Sequence, residues 1–191
     1  MHDEDGNAIY SQKGIANLLN CHFSTIGEKM AKKIPENGGN PLSYIRNSVV
    51  SQLRMTPTTV EEIIKLIDDL DEKKSAGSDG ISCHLIKITK LIIAPILVHL
   101  FNSCMYLSVF PDVLKIAEVI PLFKGGNMHI LGNYRPISLL PIFGKLFEKI
   151  IAKRLTDFLD TSNILTMRQF GFRKENLTVQ SLRQLVCMII F

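Results

Sequence analysis

Apolar residues recur at helical spacing through the first half of the chain. Residues 14–33 carry them three or four positions apart, which predicts an amphipathic helix. After an irregular stretch with glycine and proline, Thr59 begins a capping box with Glu62, and a second helix is predicted to about Leu70. Helical patterns resume at about 84–93 and 95–107, where Pro95 is suited to open the later helix.

The apolar period changes after Pro111. Residues 116–123 and 134–140 are short and β-branched, so they predict two strands, the second of them buried. The glycine-bearing loop between them favours an antiparallel hairpin, and Pro121 and Pro136, which cannot donate to a ladder, belong at edges or bulges. Helical spacing returns at 141–159, on which the hairpin is expected to pack, and at 176–190. The predicted fold is α+β, mainly helical, with one antiparallel β-hairpin packed on helices.

Composition and charge narrow the class of protein. The chain has 191 residues, 46% of them hydrophobic, which is enough for a core and too many for a disordered segment. The formal net charge is +4, and residues 115–175 hold ten Lys+Arg against five Asp+Glu. This basic excess favours a polyanionic partner, although charge alone fits a solvated face equally well.

Cysteine usage and hydropathy bear on the compartment. The four cysteines are widely spaced and form no Cys-x-x-Cys pair, so they are expected to be reduced thiols of an intracellular protein, in the cytoplasm and nucleus. No metal site is predicted from them. The longest apolar run is broken by Pro95 and His99 and falls short of the ~20 residues that span a bilayer, so no membrane association is expected.

Arg135 is the residue whose role is least obvious from the pattern. Lys124 ends the first predicted strand and Arg135 lies at the start of the second, so a hairpin brings the two cations near one end. A flexible ammonium and a planar guanidinium suit a triphosphate. Alternatively, Arg135 pairs with Glu118 or Glu148 and only fixes the hairpin; the residues themselves leave both readings open.

Four blocks of sequence carry a resemblance to a known family. They are "KKSAGSDGIS", "FPDVLKIAEVIPLFKGGN", "NYRPISLLPIFGKLFEKIIAKRL" and "QFGFRK". Their order and spacing resemble those of the reverse transcriptases of non-LTR (LINE-type) retrotransposons, most of all the jockey branch, over roughly residues 10 to 175. The resemblance implies the N-terminal, fingers part of a right-hand polymerase fold that is incomplete in this chain.

The same resemblance implies site residues and partners. Lys124 and Arg135 would grip the phosphates of the incoming deoxynucleoside triphosphate (dNTP). Contacts with template and primer are implied for two groups of residues: Gly77 and Asp79; and Gln169, Phe172 and Arg173. The implied partners are an RNA template, a DNA primer and a dNTP, and the oligomeric state is left open.

No catalytic residue is assigned. The family holds Mg²⁺ with an aspartate on the first palm strand and with a Tyr-x-Asp-Asp turn, and neither motif occurs in the chain. Asp68 and Asp69 are adjacent, but they lie on the capped helix ahead of the hairpin. The expectation is therefore a polymerase fragment that ends before the palm and is inactive alone, with no cofactor in this chain and Mg²⁺ only in a complete polymerase.

The chain is predicted to have three successive segments. These are an N-terminal helix and linker (1–57), a helical segment (58–114) and the fingers fragment (115–191). The alternative function is a helical nucleic-acid-binding or protein-interaction module without catalysis, in which Arg135 is structural.

Overall fold

The computed structural model describes residues 1–2, 6–35 and 52–165, and the following elements lie in these ranges. The helices are α1 (Gln12–Ala31), α2 (Val60–Asp68), α3 (Cys83–Ile88), α4 (Lys90–Tyr106), α5 (Asp112–Lys115) and α6 (Ile142–Thr161). The strands are β1 (Glu118–Phe123) and β2 (Tyr134–Leu139), with a 3₁₀ turn at Leu131–Asn133 before β2. The predicted class, α+β and mainly helical with one antiparallel hairpin, is confirmed. The helix predicted at 176–190 lies outside the described residues.

The chain divides into two compact units. The first comprises Met1–Arg46 and Thr58–Phe147, and the second comprises Asn47–Pro57 and Glu148–Phe191. Within the second unit, the guanidinium of Arg154 donates to the carbonyls of Thr56 (3.1 Å) and Pro57 (3.3 Å). The three-segment division made from the sequence stays a prediction.

The core of the first unit forms where α2 lies against α4. Ile63 and Ile67 of α2 and Phe101 of α4 are fully buried. Phe101 stacks on Phe147 with ring centroids 4.8 Å apart and planes 11° apart, and Phe110 contacts the same ring at 5.1 Å. Since a fully buried side chain of this size contributes about 1.5–3 kcal/mol, this cluster anchors the unit.

The start of α2 is fixed by local and long-range hydrogen bonds. The Thr59 hydroxyl accepts from the Glu62 N–H at 3.3 Å, which confirms the predicted cap. Thr58, the residue before this cap, is held by the side chain of Asn102 on α4. The Asn102 amide accepts from the Thr58 N–H (2.8 Å) and donates to the Thr58 carbonyl (3.0 Å). Asn102 therefore ties the beginning of α2 to the C-terminal half of α4.

The predicted helix break at Pro95 is wrong. Pro95 lies inside α4, and the boundary between α3 and α4 falls at Thr89. The Thr89 hydroxyl donates to the Leu85 carbonyl at 2.8 Å, and its φ of −91° and ψ of 5° end the first helix. Pro95 faces solvent near the start of α4, where water can hydrate the carbonyl that its ring leaves unpaired, so the helix tolerates it.

The two prolines of the hairpin face each other. The register places Pro121 opposite Pro136, and Lys124 N–H donates to the Asn133 carbonyl at 2.8 Å. Because hydrogen-bonded and non-hydrogen-bonded pairs alternate along an antiparallel ladder, the Pro121–Pro136 pair is a non-hydrogen-bonded one. Neither proline removes a ladder bond, and both lie on edge strands as predicted.

The predicted burial of the second strand is wrong. Every residue of β1 is exposed, and in β2 Ile137 is 42% exposed while Leu139 is partly exposed. Two strands have two faces to cover, and in the described residues neither face is buried. The hairpin is therefore packed against helices less than expected. It meets the rest of its unit at its base, near Leu114 and Leu140, and at its loop, where the His129 ring lies 5.7 Å from the His2 ring.

Candidate functional site

Lys124 and Arg135 lie on the same face of the hairpin. Lys124 is opposite Asn133, and Arg135 is two residues further along β2, opposite Leu122. Side chains two positions apart on a strand share a face, so Lys124, Asn133 and Arg135 project together. Diagonal neighbours of this kind are about 7–8 Å apart, within reach of one polyphosphate. The register thus brings the two cations together near one end of the hairpin, as the sequence predicted for a hairpin.

Arg135 is exposed and lacks an anionic partner in the described part of the chain. Neither Glu118 nor Glu148 forms an ion pair with it there. Glu118 is on the same face, but it is four residues from Leu122 along β1, which is about 13 Å at strand rise. The structural pairing considered from the sequence is therefore not formed, and, because the strand is exposed, Arg135 carries no burial cost either.

Lys124 is equally accessible. It is exposed, and its ammonium has one long contact, 3.5 Å to the carbonyl of Gly132. A contact of this length lies beyond the usual hydrogen-bond range and is easily exchanged for a better acceptor. Both cations are thus available to an anionic ligand.

The loop between the strands holds its own shape. Gly125 and Gly126 have φ of 124° and 91°, which residues with a Cβ rarely adopt. The Asn127 side chain accepts from the His129 N–H (2.8 Å). The backbone carbonyl of Asn127 accepts from the side-chain amide of Asn133 (2.9 Å). The Tyr134 hydroxyl donates to the Met128 carbonyl at 3.0 Å. These bonds fix the turn that separates Lys124 from Arg135.

Asn133 is a candidate that the sequence analysis did not assign. Asn133 pairs with Lys124 through the backbone and lies two residues before Arg135, and its side-chain amide donates to the Asn127 carbonyl at 2.9 Å beside the glycine turn. The sequence did offer one signal, the two-residue spacing of Asn133 and Arg135 in "NYR". That spacing indicates a shared site only when the register of the hairpin is known.

The residues expected at the template–primer lie apart from this pair or outside the described chain. Gly77 is buried against the backbone where β2 ends, and the Asp79 carboxylate accepts from the Ile81 N–H at 3.1 Å, which shapes its own loop. Gln169, Phe172 and Arg173 lie outside the described residues. Their expected roles remain predictions.

Carboxylates suited to the family's two metal ions are not found where the structure describes the chain. These ranges contain no group of three or more His, Cys, Asp and Glu side chains that could hold a metal ion. Asp68 is engaged by Lys90 at 2.6 Å, so the Asp68–Asp69 pair does not offer two free carboxylates.

Comparison with known proteins gives the relationship. No protein-family model matches the chain. A probable RNA-directed DNA polymerase from transposon BS of Drosophila melanogaster is 30% identical over 186 residues, 97% of this chain and 20% of that protein. The chain belongs to the jockey-like group of retrotransposon reverse transcriptases. The polymerase of the mobile element jockey from the same fly is 32% identical over 144 residues, 75% of this chain and 16% of its own length. The polymerase of the fly's X-element is 29% identical over 189 residues.

The chain aligns with only part of each relative. The chain spans about a fifth of the length of the polymerases it matches, 20% and 21% for the two longest alignments. The helices in the described ranges include none that is both long and apolar enough to cross a membrane.

Proposed function

We propose that this chain is the fingers-side part of a retrotransposon RNA-directed DNA polymerase and that its hairpin binds the phosphates of a nucleotide. Lys124 and Arg135 are the binding residues. One observation carries the proposal: the two cations share one exposed face of the hairpin and have no anionic partner among the described residues.

The chemistry of the two side chains fits a triphosphate. The planar guanidinium of Arg135 accommodates two phosphate oxygens at once, and the ammonium of Lys124 adds a flexible point charge. Hydrogen bonds to charged groups contribute about 1.5–3 kcal/mol, less where water competes, as it does on this open ribbon. We therefore expect weak binding by the hairpin alone.

Nucleic acid is the second proposed ligand. Ten basic against five acidic residues between 115 and 175 give an attraction for template and primer that does not depend on sequence. Without further contacts, this term supplies Kd values on the order of 10⁻⁴–10⁻⁶ M that weaken as salt rises. We propose that Gly77, Asp79 and the 169–173 block, for which the resemblance implies template–primer contacts, belong to the region that meets this ligand.

We do not propose that this chain alone catalyses phosphoryl transfer. Phosphoryl transfer by such polymerases needs two metal ions held by carboxylates, and the described residues lack that arrangement. We propose that Mg²⁺ and turnover belong to a complete polymerase.

The test is titration of the full chain with a deoxynucleoside triphosphate, followed by NMR or calorimetry. Arg135→Ala should weaken binding about tenfold, which corresponds to ~1.4 kcal/mol. The matched control is Arg54→Ala, because Arg54 is an exposed arginine outside the hairpin. It should bind as the parent does. Arg135→Lys, which keeps the charge and loses the fork, should fall between.

Thermal melting separates the binding role from a structural one. If Arg135→Ala melts several degrees lower and binds the triphosphate as the parent does, Arg135 is a structural residue and the proposal is wrong. Unchanged melting with weaker binding supports it.

A protein-interaction module is the second candidate, favoured by one surface. Four apolar residues on the solvent side of α4 are more than 40% exposed: Leu91, Ile92, Ile96 and Leu100. A helix that is apolar on both sides is commonly covered on both.

A further inference from the structure

The orientation of the hairpin needs a cause, because neither of its faces is covered. All of β1 is exposed, and in β2 only the two end residues, Tyr134 and Leu139, are partly buried. A ribbon without a packed face keeps its direction only through contacts at its two ends. At the loop end, the His129 ring lies 5.7 Å from the His2 ring, and the larger restraint is at the base. The base consists of the chain before β1 and the chain after β2.

The chain after β2 is held by Gly77. A Cβ at Gly77 would lie 2.8 Å from three backbone atoms: the carbonyl carbon and oxygen of Leu140 and the nitrogen of Pro141. These atoms form the peptide bond that joins β2 to α6, so no side-chain rotation relieves the conflict. Gly77 is buried in an otherwise exposed loop, and the Gly80 N–H donates to its carbonyl at 3.0 Å.

The chain before β1 is held by Gly144. In the first turn of α6, a Cβ on this glycine would lie 3.0 Å from the carbonyl oxygen of Leu114. Leu114 belongs to α5, four residues before β1 begins. At each end of the hairpin, a glycine without a Cβ thus lies in close contact with the backbone of the flanking chain.

We infer that Gly77 and Gly144 are positioning residues that clamp the two ends of the hairpin and so set the direction in which Lys124 and Arg135 point. Two contacts on opposite strands define an orientation, whereas one contact would leave a pivot. This role differs from the template contact that the family resemblance implies for Gly77.

The effect of a methyl group at residue 77 follows from the geometry. To reach ordinary contact at 3.4 Å, the Leu140–Pro141 peptide must move by 0.6 Å (3.4 − 2.8). If the ribbon turns about the start of β1, about 5 Å away across the paired strands, the tip some 20 Å beyond moves about four times as far, roughly 2–3 Å. A small conflict at the base becomes a measurable change at the tip.

The experiment measures a distance between two spin labels by pulsed electron paramagnetic resonance. The labels are placed at Met128→Cys, 62% exposed in the hairpin loop, and at Leu91→Cys, 71% exposed on α4. Cys21 and Cys187 are first replaced by serine, so that the introduced pair is the one labelled. Gly77→Ala should shift or broaden the distance by roughly 2–3 Å, and Gly144→Ala should do so by less.

The matched control is Gly27→Ala on α1, where nothing lies within 4 Å of the added Cβ. It should leave the distance unchanged. An unchanged distance in a folded Gly77→Ala protein would overturn the inference, and so would an equal shift in the control. If Gly77→Ala does not fold, Gly144→Ala decides: a shifted distance supports the clamp, and an unshifted or unfolded protein refutes it.

A second readout rests on the proposed nucleotide binding. If Gly77 acts through the orientation of the two cations, Gly77→Ala weakens triphosphate binding in the parent and has a smaller effect in an Arg135→Ala background, where only Lys124 is left to be misdirected. An equal loss in both backgrounds would mean that the loop acts independently of Arg135, and it would refute positioning. Should the parent bind no triphosphate at all, the proposed function fails while the label distances still decide the clamp.

Discussion

Replacing Asn102 by alanine should destabilise the first unit measurably, although no catalytic or binding role is assigned to this residue. The amide of Asn102 makes two hydrogen bonds to the backbone of Thr58, at 2.8 and 3.0 Å, across 44 positions of sequence. Thr58 is 3% exposed, so its N–H and carbonyl have little access to water. The substitution removes both partners at once.

The magnitude follows from the cost of leaving two buried backbone groups unpaired. Each such group costs about 1–3 kcal/mol. Asn102 is itself only half-buried, so water can enter the vacated space and hydrate part of what is lost. We expect a net loss near the lower end, about 2 kcal/mol, and since ~1 kcal/mol shifts the melting temperature of a chain of this size by about 2–4 °C, a drop of about 4–8 °C.

Thermal melting followed by circular dichroism, with urea denaturation alongside, measures this loss. The control is Asn20→Ala on α1, an exposed asparagine that carries the same gain in helix propensity without the Thr58 bonds. It should melt at or slightly above the parent temperature. If Asn102→Ala melts within a degree of Asn20→Ala, the pair does not hold the start of α2, and the account of that junction is wrong.

Substitutions at two further positions test the core and the exposed face of α4. Phe147→Ala should cost about 3–5 kcal/mol because the ring is 1% exposed and stacks on Phe101, whereas Phe147→Leu should cost less than about 1.5 kcal/mol; equal losses in denaturation would contradict the packing described. Ile96→Lys, at a side chain 63% exposed, should leave the melting temperature nearly unchanged and reduce any self-association seen by sedimentation. A large loss of stability would show that this face is covered within the chain.

Local sequence information was sufficient for the helices whose ends are determined locally. The period of apolar residues predicted α1 and α2, and Thr59 caps α2 because a hydroxyl at that position reaches the N–H three residues on. The boundary at Thr89 was missed for a related reason. Proline is a stronger signal than threonine, but Pro95 lies on the exposed side of the second turn of α4. There it removes one helix hydrogen bond, and water can hydrate the carbonyl left unpaired.

The exposure of β2, the pairing of Asn102 with Thr58 and the register of the hairpin depend on tertiary structure. Tyr134–Leu139 has the composition of a buried strand, yet burial requires a second layer, and none of the described elements covers it. The pairing of Asn102 with Thr58 depends on α4 lying beside α2, which no period reveals. The shared face of Lys124 and Arg135 could be anticipated from a hairpin, but it depended on a register that a shift of one residue would have reversed.

The prolines explain how an exposed two-stranded ribbon can carry these cations and remain unpaired with other strands. At a non-hydrogen-bonded pair, the backbone N–H groups point away from the partner strand, towards the edge where a third strand would add. Pro121 and Pro136 occupy one such pair and remove both outward donors at the same level of the ribbon. The arginine that adjoins Pro136 therefore needs no buried partner and no covering strand. What its position does require is a fixed direction, and that comes from the glycine contacts at the base rather than from the strands themselves.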